Sequence, residues 1–460
     1  MQDLTTRQRG ALYILMAGVF LSFLNQTLMN TALPSIMREF NIDTSLGQWM
    51  TNGYMLVNGV MVPLTAFLIQ RFKTRQLYLT AMAMFTVGTI IAGFAPNYGV
   101  LILGRMVQAM GGGVFGPLMN VVVMNLFSSD RRGAAMGMIG LALNFAPTIG
   151  PTLSGAIVSF VSWRWLFLGL APLMIIDLIF AMVRLKNVGE QKFFKFDFTG
   201  VVLSSIGLGT LLYGFSNAGT GNWTSPNVWA YGLVGIVTTF AFVYQQTHTK
   251  VPLLNLRVFS YHNFWVAVII NVVLMTALYG GALMLPLYLQ SVRGQSAMVS
   301  GMVLMPGAIV TALLSPTSGK LYDRYGARML APIGLTITLI GTLLLANLGM
   351  HTPLWVPVLG QLIRQVGLVL VTMPIQTEAF NAVPLELMPD ASAAFTTVRQ
   401  VSASFGTAAL ITLYSLVSLS QRHQGVSYKL AELSGIKTAF YVAAFIVFIS
   451  AVLTRLLRKR

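Results

Sequence analysis

The chain has 460 residues, of which 55 % are hydrophobic and 9 % charged, at a mean hydropathy of +0.73. Soluble domains carry nearer a quarter charged residues, so this composition excludes an ordinary water-soluble enzyme and points to a lipid bilayer. There are 29 Lys and Arg against 12 Asp and Glu, and no cysteine, which excludes disulfides and thiolate metal sites.

Apolar stretches of about 20 residues, enough to span a bilayer as helices, recur along the chain. Spans are predicted near 11–33, 46–69, 77–95, 99–126, 133–161, 164–185 and 198–217. They continue near 227–246, 263–290, 297–319, 328–349, 354–379, 391–418 and 437–457. The first runs through Leu33, too long for a cleavable signal, and reads as a retained span. Basic residues gather in alternate connections: Arg71, Lys73 and Arg75; Arg131 and Arg132; Lys320, Arg324 and Arg328; Arg399; and Arg455 to Arg460. By the positive-inside rule these ends, and both termini, are cytoplasmic. Charge spread over loops in this way is not a nucleic-acid surface.

An internal repeat is visible. Thr65 to Arg75 aligns with Ser318 to Arg328, so that Arg71 matches Arg324 and Arg75 matches Arg328. Gly104 and Gly111 align with Gly360 and Gly367, and Asp130 with Asp390. The period of about 255 residues implies two six-helix repeats, a transporter architecture with its site between them at mid-membrane. The expected fold is all-α: a bundle over 1–185, two inserted helices with their linkers over 186–262, and a bundle over 263–460.

The connection Gly319-Lys-Leu-Tyr-Asp323-Arg324-Tyr-Gly326-Ala-Arg328 combines close-approach glycines with an acid. That acid is suited to accept from a neighbouring helix N-terminus and lock one state of a gate. Pro147, Gly150, Pro151 and Gly155 mark a kinked, close-packed helix. Arg105 lies inside a span, where a cation is costly and faces the bundle interior or water. Gly111-Gly-Gly-Val-Phe-Gly116 matches a dinucleotide fingerprint in letters only, since it lies within one continuous apolar span. No catalytic constellation stands out among four histidines, so no enzyme is expected.

These motifs resemble the major facilitator superfamily. Within it they are closest to 14-span drug:proton antiporters of the lincomycin-resistance type in Gram-positive bacteria. Phe23 to Pro34 resembles the first-span motif. Gly104-Arg105, Gln108 and Gly111 resemble the fourth-span motif, whose Arg is linked to proton transfer. Pro147 to Gly155 resembles the exporters' antiporter motif, and 319–328 the gating motif. Ser162 to Phe167 and Thr397 to Gln400 also look familial. Two positions depart from the pattern. Ala66, Gln70 and Lys73 replace Gly, Asp and Gly in the first gating loop, implying weaker gating in that half. Asn25 stands where many relatives carry an Asp, and an amide cannot titrate.

The resemblance implies a cavity lined by Asn25, Gln26, Asn30, Tyr54, Asn58, Gln108, Asn120, Asn144, Tyr279 and Gln361. Of the twelve acids, Asp177 in the sixth span and Glu378 at the inner end of the twelfth remain as proton carriers, alongside Arg105. Intramembrane acids of this kind recur in proton relays. The expected protein is a multidrug exporter of the bacterial plasma membrane, driven by the proton gradient without a cofactor. Its substrates would be neutral or weakly charged amphipathic molecules, and a monomer is the default. A dedicated exporter of one metabolite, lipid or peptide on the same fold is the alternative; one chemically altered product would revive an enzyme.

Overall fold

The computed structural model describes residues 6–42, 44–187, 197–219, 226–249 and 251–458, and among them there is no β-strand. The long helices are α1 (Thr6–Phe40), α2 (Thr44–Arg71), α3 (Thr74–Gly93), α4 (Tyr98–Leu126) and α5 (Arg132–Phe160). The expected sixth span is two pieces, α6 (Trp165–Leu168) and α7 (Ala171–Arg184), with Pro172 in the first turn of α7. Next come α8 (Phe198–Gly219) and α9 (Pro226–His248). The expected ninth span breaks after α10 (His262–Ala282) into α11 (Met284–Leu287) and a π-helical turn over Tyr288–Val292. The chain ends with α12 (Ala297–Tyr325), α13 (Ala327–Ala346), α14 (Trp355–Asn381), α15 (Met388–His423) and α16 (Tyr428–Leu453).

Among the described residues, twelve helices are long and apolar enough to cross a membrane. The described apolar parts of α5 and α10 run over 132–143 and 262–278 and are shorter. Local sequence sets several ends. Asn97 caps α4 by accepting from Val100 N at 3.0 Å, and Gly326, at φ 74°, turns α12 into α13. At about 1.5 Å per residue, α15 is about 54 Å long and projects beyond a hydrocarbon core of about 30 Å.

Helices α1 to α5 and α7 pack among themselves, as do α10 and α12 to α16. The two groups meet along α5 with α12 and α2 with α15. The first seam is backbone on backbone. A Cβ added at Gly319 would lie 2.0 Å from the Gly133 carbonyl oxygen, and one at Gly137 2.5 Å from that of Ser315. The internal repeat has a structural counterpart. Gly104 and Gly111 press α4 onto α3, as Gly360 and Gly367 press α14 onto α13. Helices α8 and α9 form a hairpin whose α8 lies against both α2 and α15. Trp229, Leu233, Val237 and Phe240 of α9 are exposed, an apolar face suited to lipid.

Candidate functional site

Between the groups lies a cavity of about 530 Å³, within the range of small-molecule sites. Its wall combines Gln26 of α1, Tyr54 and Asn58 of α2, the Gly112–Gly116 stretch of α4, and Thr396 to Ile411 of α15. Helix α8 adds Leu212, Tyr213 and Phe215, with Tyr213 against Trp49 at 5.4 Å between ring centroids. Thus Gln26, Tyr54 and Asn58 line the cavity as expected residues. The side chains of Asn30, Asn144, Tyr279, Pro147 and Pro151 lie outside the described residues. Gln361 is buried on α14 beside Gly307 and is not in the wall.

Asn25 and Gln108 stand behind the wall, around Arg105. The Arg105 guanidinium, 1 % exposed, donates through Nη1 to Asn25 Oδ1 at 2.7 Å and Gln108 Oε1 at 2.9 Å. Gln108 in turn donates to Thr89 at 2.7 Å. The guanidinium lies 4.3 Å from the centre of the Tyr54 ring, a cation–π contact with a residue of the cavity wall. Among the described residues no carboxylate bonds to it, and the position facing it holds the Asn25 amide. Arg105 Nη2 and Asn25 Nδ2 are buried without partners among the described residues.

Hydrogen bonds between the two groups cluster at one end of the bundle. Asp323 accepts from Gly133 N at 2.7 Å and Ala134 N at 2.8 Å, at the N-terminus of α5. Unpaired amides and the helix dipole both favour an anion there. Across the seam, Gln70 donates to Asp390 Oδ2 at 3.0 Å in the first turn of α15. The two contacts are related by the internal repeat, with polarity reversed: an amide stands where Asp323 stands, and Asp390 supplies the anion. Arg132 donates to Asn381 at 2.8 Å, and Asn120 to Ser392 at 3.0 Å, deepening the seal. The gating arginines lie at the same end of the bundle. Arg75 bonds the Met182 carbonyl, Arg324 and Arg328 are exposed, and Arg71 ends α2.

Neither proposed acid reaches the cavity. Asp177 is 7 % exposed and accepts from Tyr78 at 2.5 Å, between α1, α3 and α7. Glu378 is 5 % exposed and accepts from Asn263 of α10 and Tyr322 of α12, both at 2.8 Å. Tyr322 also accepts from Asn381, the residue that Arg132 holds across the seam. In the antiporter motif, a Cβ on Gly150 would meet Thr27 Oγ1 at 2.2 Å, so the motif seats α5 on α1; Gly155 is half-buried one turn on. At the opposite end of the bundle, Glu39 accepts from Trp163 Nε1 at 2.6 Å and pairs with Arg164. Burial pushes the Glu39 carboxyl up, but the hydrogen bonds from Arg164 and Trp163 prevail and hold it below its ordinary value of 4.5.

Sequence reasoning missed Arg399, Gln400 and all of α8. It assigned Arg399 to a cytoplasmic cluster, whereas Arg399 lies well inside α15 and lines the cavity. The signal was present in Thr397-Val-Arg399-Gln400, a polar patch on an apolar helix. It left the inserted helices without a role, whereas α8 walls the cavity.

Residues 15–407 match the model of the Major Facilitator Superfamily. The chain is 43 % identical to the uncharacterized MFS-type transporter YcnB of Bacillus subtilis, covering 97 % of this chain and 94 % of that protein. It is 35 % identical to the lincomycin resistance protein LmrB of Listeria innocua, covering 97 % and 95 %. Among solved structures it superposes on the proton:xylose symporter XylE with a TM-score of 0.67 at 12 % identity, covering 97 % of this chain and 95 % of that one, a likeness of fold alone. The internal repeat, the glycine-paired helices and these matches agree: the chain is a multi-pass membrane transporter belonging to the major facilitator superfamily.

Proposed function

We propose that this protein exports amphipathic drug-like molecules from a bacterial cell in exchange for protons, as a 14-span carrier in the plasma membrane. Both termini are cytoplasmic in this reading, and a single copy suffices. The units that rock are 1–185 and 263–460, with 186–262 inserted between them, and alternating access follows from their motion around the central cavity. The observation that carries the reading is the cavity itself, a mostly apolar chamber with a few amides and hydroxyls, sealed at the Asp323 end. In this reading the basic end faces the cytoplasm, and a seal there corresponds to a state closed to that side. Likeness to the lincomycin resistance protein supports drugs as cargo.

Three groups are candidates for the proton step: Asp177, Glu378 and Arg105. Glu378 has the most direct link to the seal. Protonating it would turn a hydrogen-bond acceptor into a donor and disturb Tyr322, which connects through Asn381 to Arg132 of the other unit. Proton entry would thereby bias the two states differently, as coupling requires.

Everted membrane vesicles containing the chain, energised with a proton gradient and challenged with antibiotics and lipophilic dyes, test this. A pH-sensitive fluorophore reads the gradient. Several unrelated compounds should discharge it, against a protein-free control. A single active compound would favour the dedicated exporter, and none would reject antiport. Glu378→Gln should remove drug-driven proton flux, and Asp177→Asn should reduce it less; intact flux in Glu378→Gln discards that residue as the carrier.

A further inference from the structure

The charge of the cavity wall points to a class of substrate. Arg399 is the one charged residue among the described residues that line the cavity. Within the described residues its guanidinium has no hydrogen-bond or ion-pair partner, whereas its neighbour Gln400 is tethered to the Met55 carbonyl at 2.9 Å. A second cation, Arg105, stands directly behind Tyr54, with an Nη2 donor unused. The buried acids that could balance this charge are engaged elsewhere. Asp177 bonds Tyr78, Glu378 bonds Asn263 and Tyr322, and Asp390 bonds Gln70 and the Asn255 amide. The rest of the wall offers aromatic surface in Phe23, Trp49, Tyr213 and Phe215.

We propose that the cavity selects amphipathic organic anions, with a carboxylate or sulfonate on an apolar frame, and that Arg399 is the residue that selects them. The proposal rests on the exporter reading above and narrows its cargo. A cationic molecule entering this chamber loses hydration, meets Arg399 and finds no carboxylate among the described lining residues. A neutral molecule fits but leaves the guanidinium unpaired. An anion gains charge-assisted hydrogen bonds from a planar, forked donor while its frame packs on the aromatic wall.

Three probes of one frame separate these cases: pyrenebutanesulfonate, pyrenebutanol and pyrenebutyltrimethylammonium, with accumulation in energised everted vesicles read by pyrene fluorescence. The sulfonate should accumulate at least about tenfold faster than the ammonium compound, the effect expected of one charge-assisted hydrogen bond. In Arg399→Gln the ratio of sulfonate to butanol uptake should fall by about tenfold, and Arg399→Lys should recover most of it. The ratio cancels differences in the amount of folded protein. Equal uptake of ammonium and sulfonate, or an unchanged ratio in Arg399→Gln, overturns the proposal. Vesicles that respond to the drug panel and take up the butanol without preferring the sulfonate reject anion selection and leave export standing. Vesicles that move nothing reject both.

Discussion

Arg105 is a buried cation held by amides. Three hydrogen bonds and an aromatic face offset part of its lost hydration, and among the described residues no opposite charge completes the balance. With Asn25 at the facing position, the Arg105 guanidinium beside the cavity is met by an amide and not by an acid. Glu39 is the opposite case, an acid stabilised in its charged form at the far end of the bundle. Its folded value lies below 4.5, so its contribution is present above that pH and is lost as pH falls through the folded value. In detergent, the melting temperature of the wild type should drop more steeply than that of Glu39→Gln between about pH 5 and pH 3. Parallel curves would remove Glu39 as a pH-dependent clamp. Gln26, Tyr54 and Asn58, which line the cavity, were named from the helices that the family resemblance puts around it. Arg399 was not, because a basic residue near a predicted span end reads as a loop residue. Only the extension of α15 back to Met388 sets it deep in the helix.

The seal is a property of helix ends. Gly133 and Gly319 let α5 and α12 touch through backbone, which brings the Asp323 carboxylate onto the free amides of α5. Asp323→Ala leaves those amides unsatisfied and should open the seam. Because the chain has no cysteine, Ser392→Cys supplies a single thiol, at a residue buried in the seal. Adding Asp323→Ala should raise its labelling by a membrane-impermeant maleimide from the cytoplasmic side by at least about tenfold, the population shift that loss of one such bonded pair allows. Unchanged labelling would show that Asp323 does not hold the closed state. Glycine spacing and the acid gave this seam a clear signature in the sequence. The Gln70–Asp390 contact had none, because its acid sits in the first turn of a helix and reads as an ordinary cap.

At the scale of the whole molecule, the alternating access proposed above makes the α8–α9 hairpin follow one of the two rocking units. Recurrent apolar stretches and a repeat made the all-helical fold legible, but an apolar helix carries no mark of which face meets protein and which meets lipid, so the position of α8 was not. Packed on both α2 and α15, α8 must slide on one of them. Its base favours the C-terminal unit. Asp197 gathers Gly200, Gln245 and Gln246; Gln246 accepts from Leu254; and Asn255 N donates to Asp390 of α15 at 2.8 Å. Leu253, Leu254 and Val258 of the same connection are buried. The hairpin should therefore travel with α15 and slide on α2. A bifunctional thiol linker between Phe215→Cys and Phe405→Cys, whose rings lie 5.4 Å apart, should leave transport largely intact. The same linker between Leu212→Cys and Gly59→Cys, in contact across the α2 face, should arrest it. The reverse pattern would assign the hairpin to the N-terminal unit. Arrest by both linkers would make α8 a wedge that leaves each face in every cycle, and the cavity wall it supplies would then be present in only one of the two states.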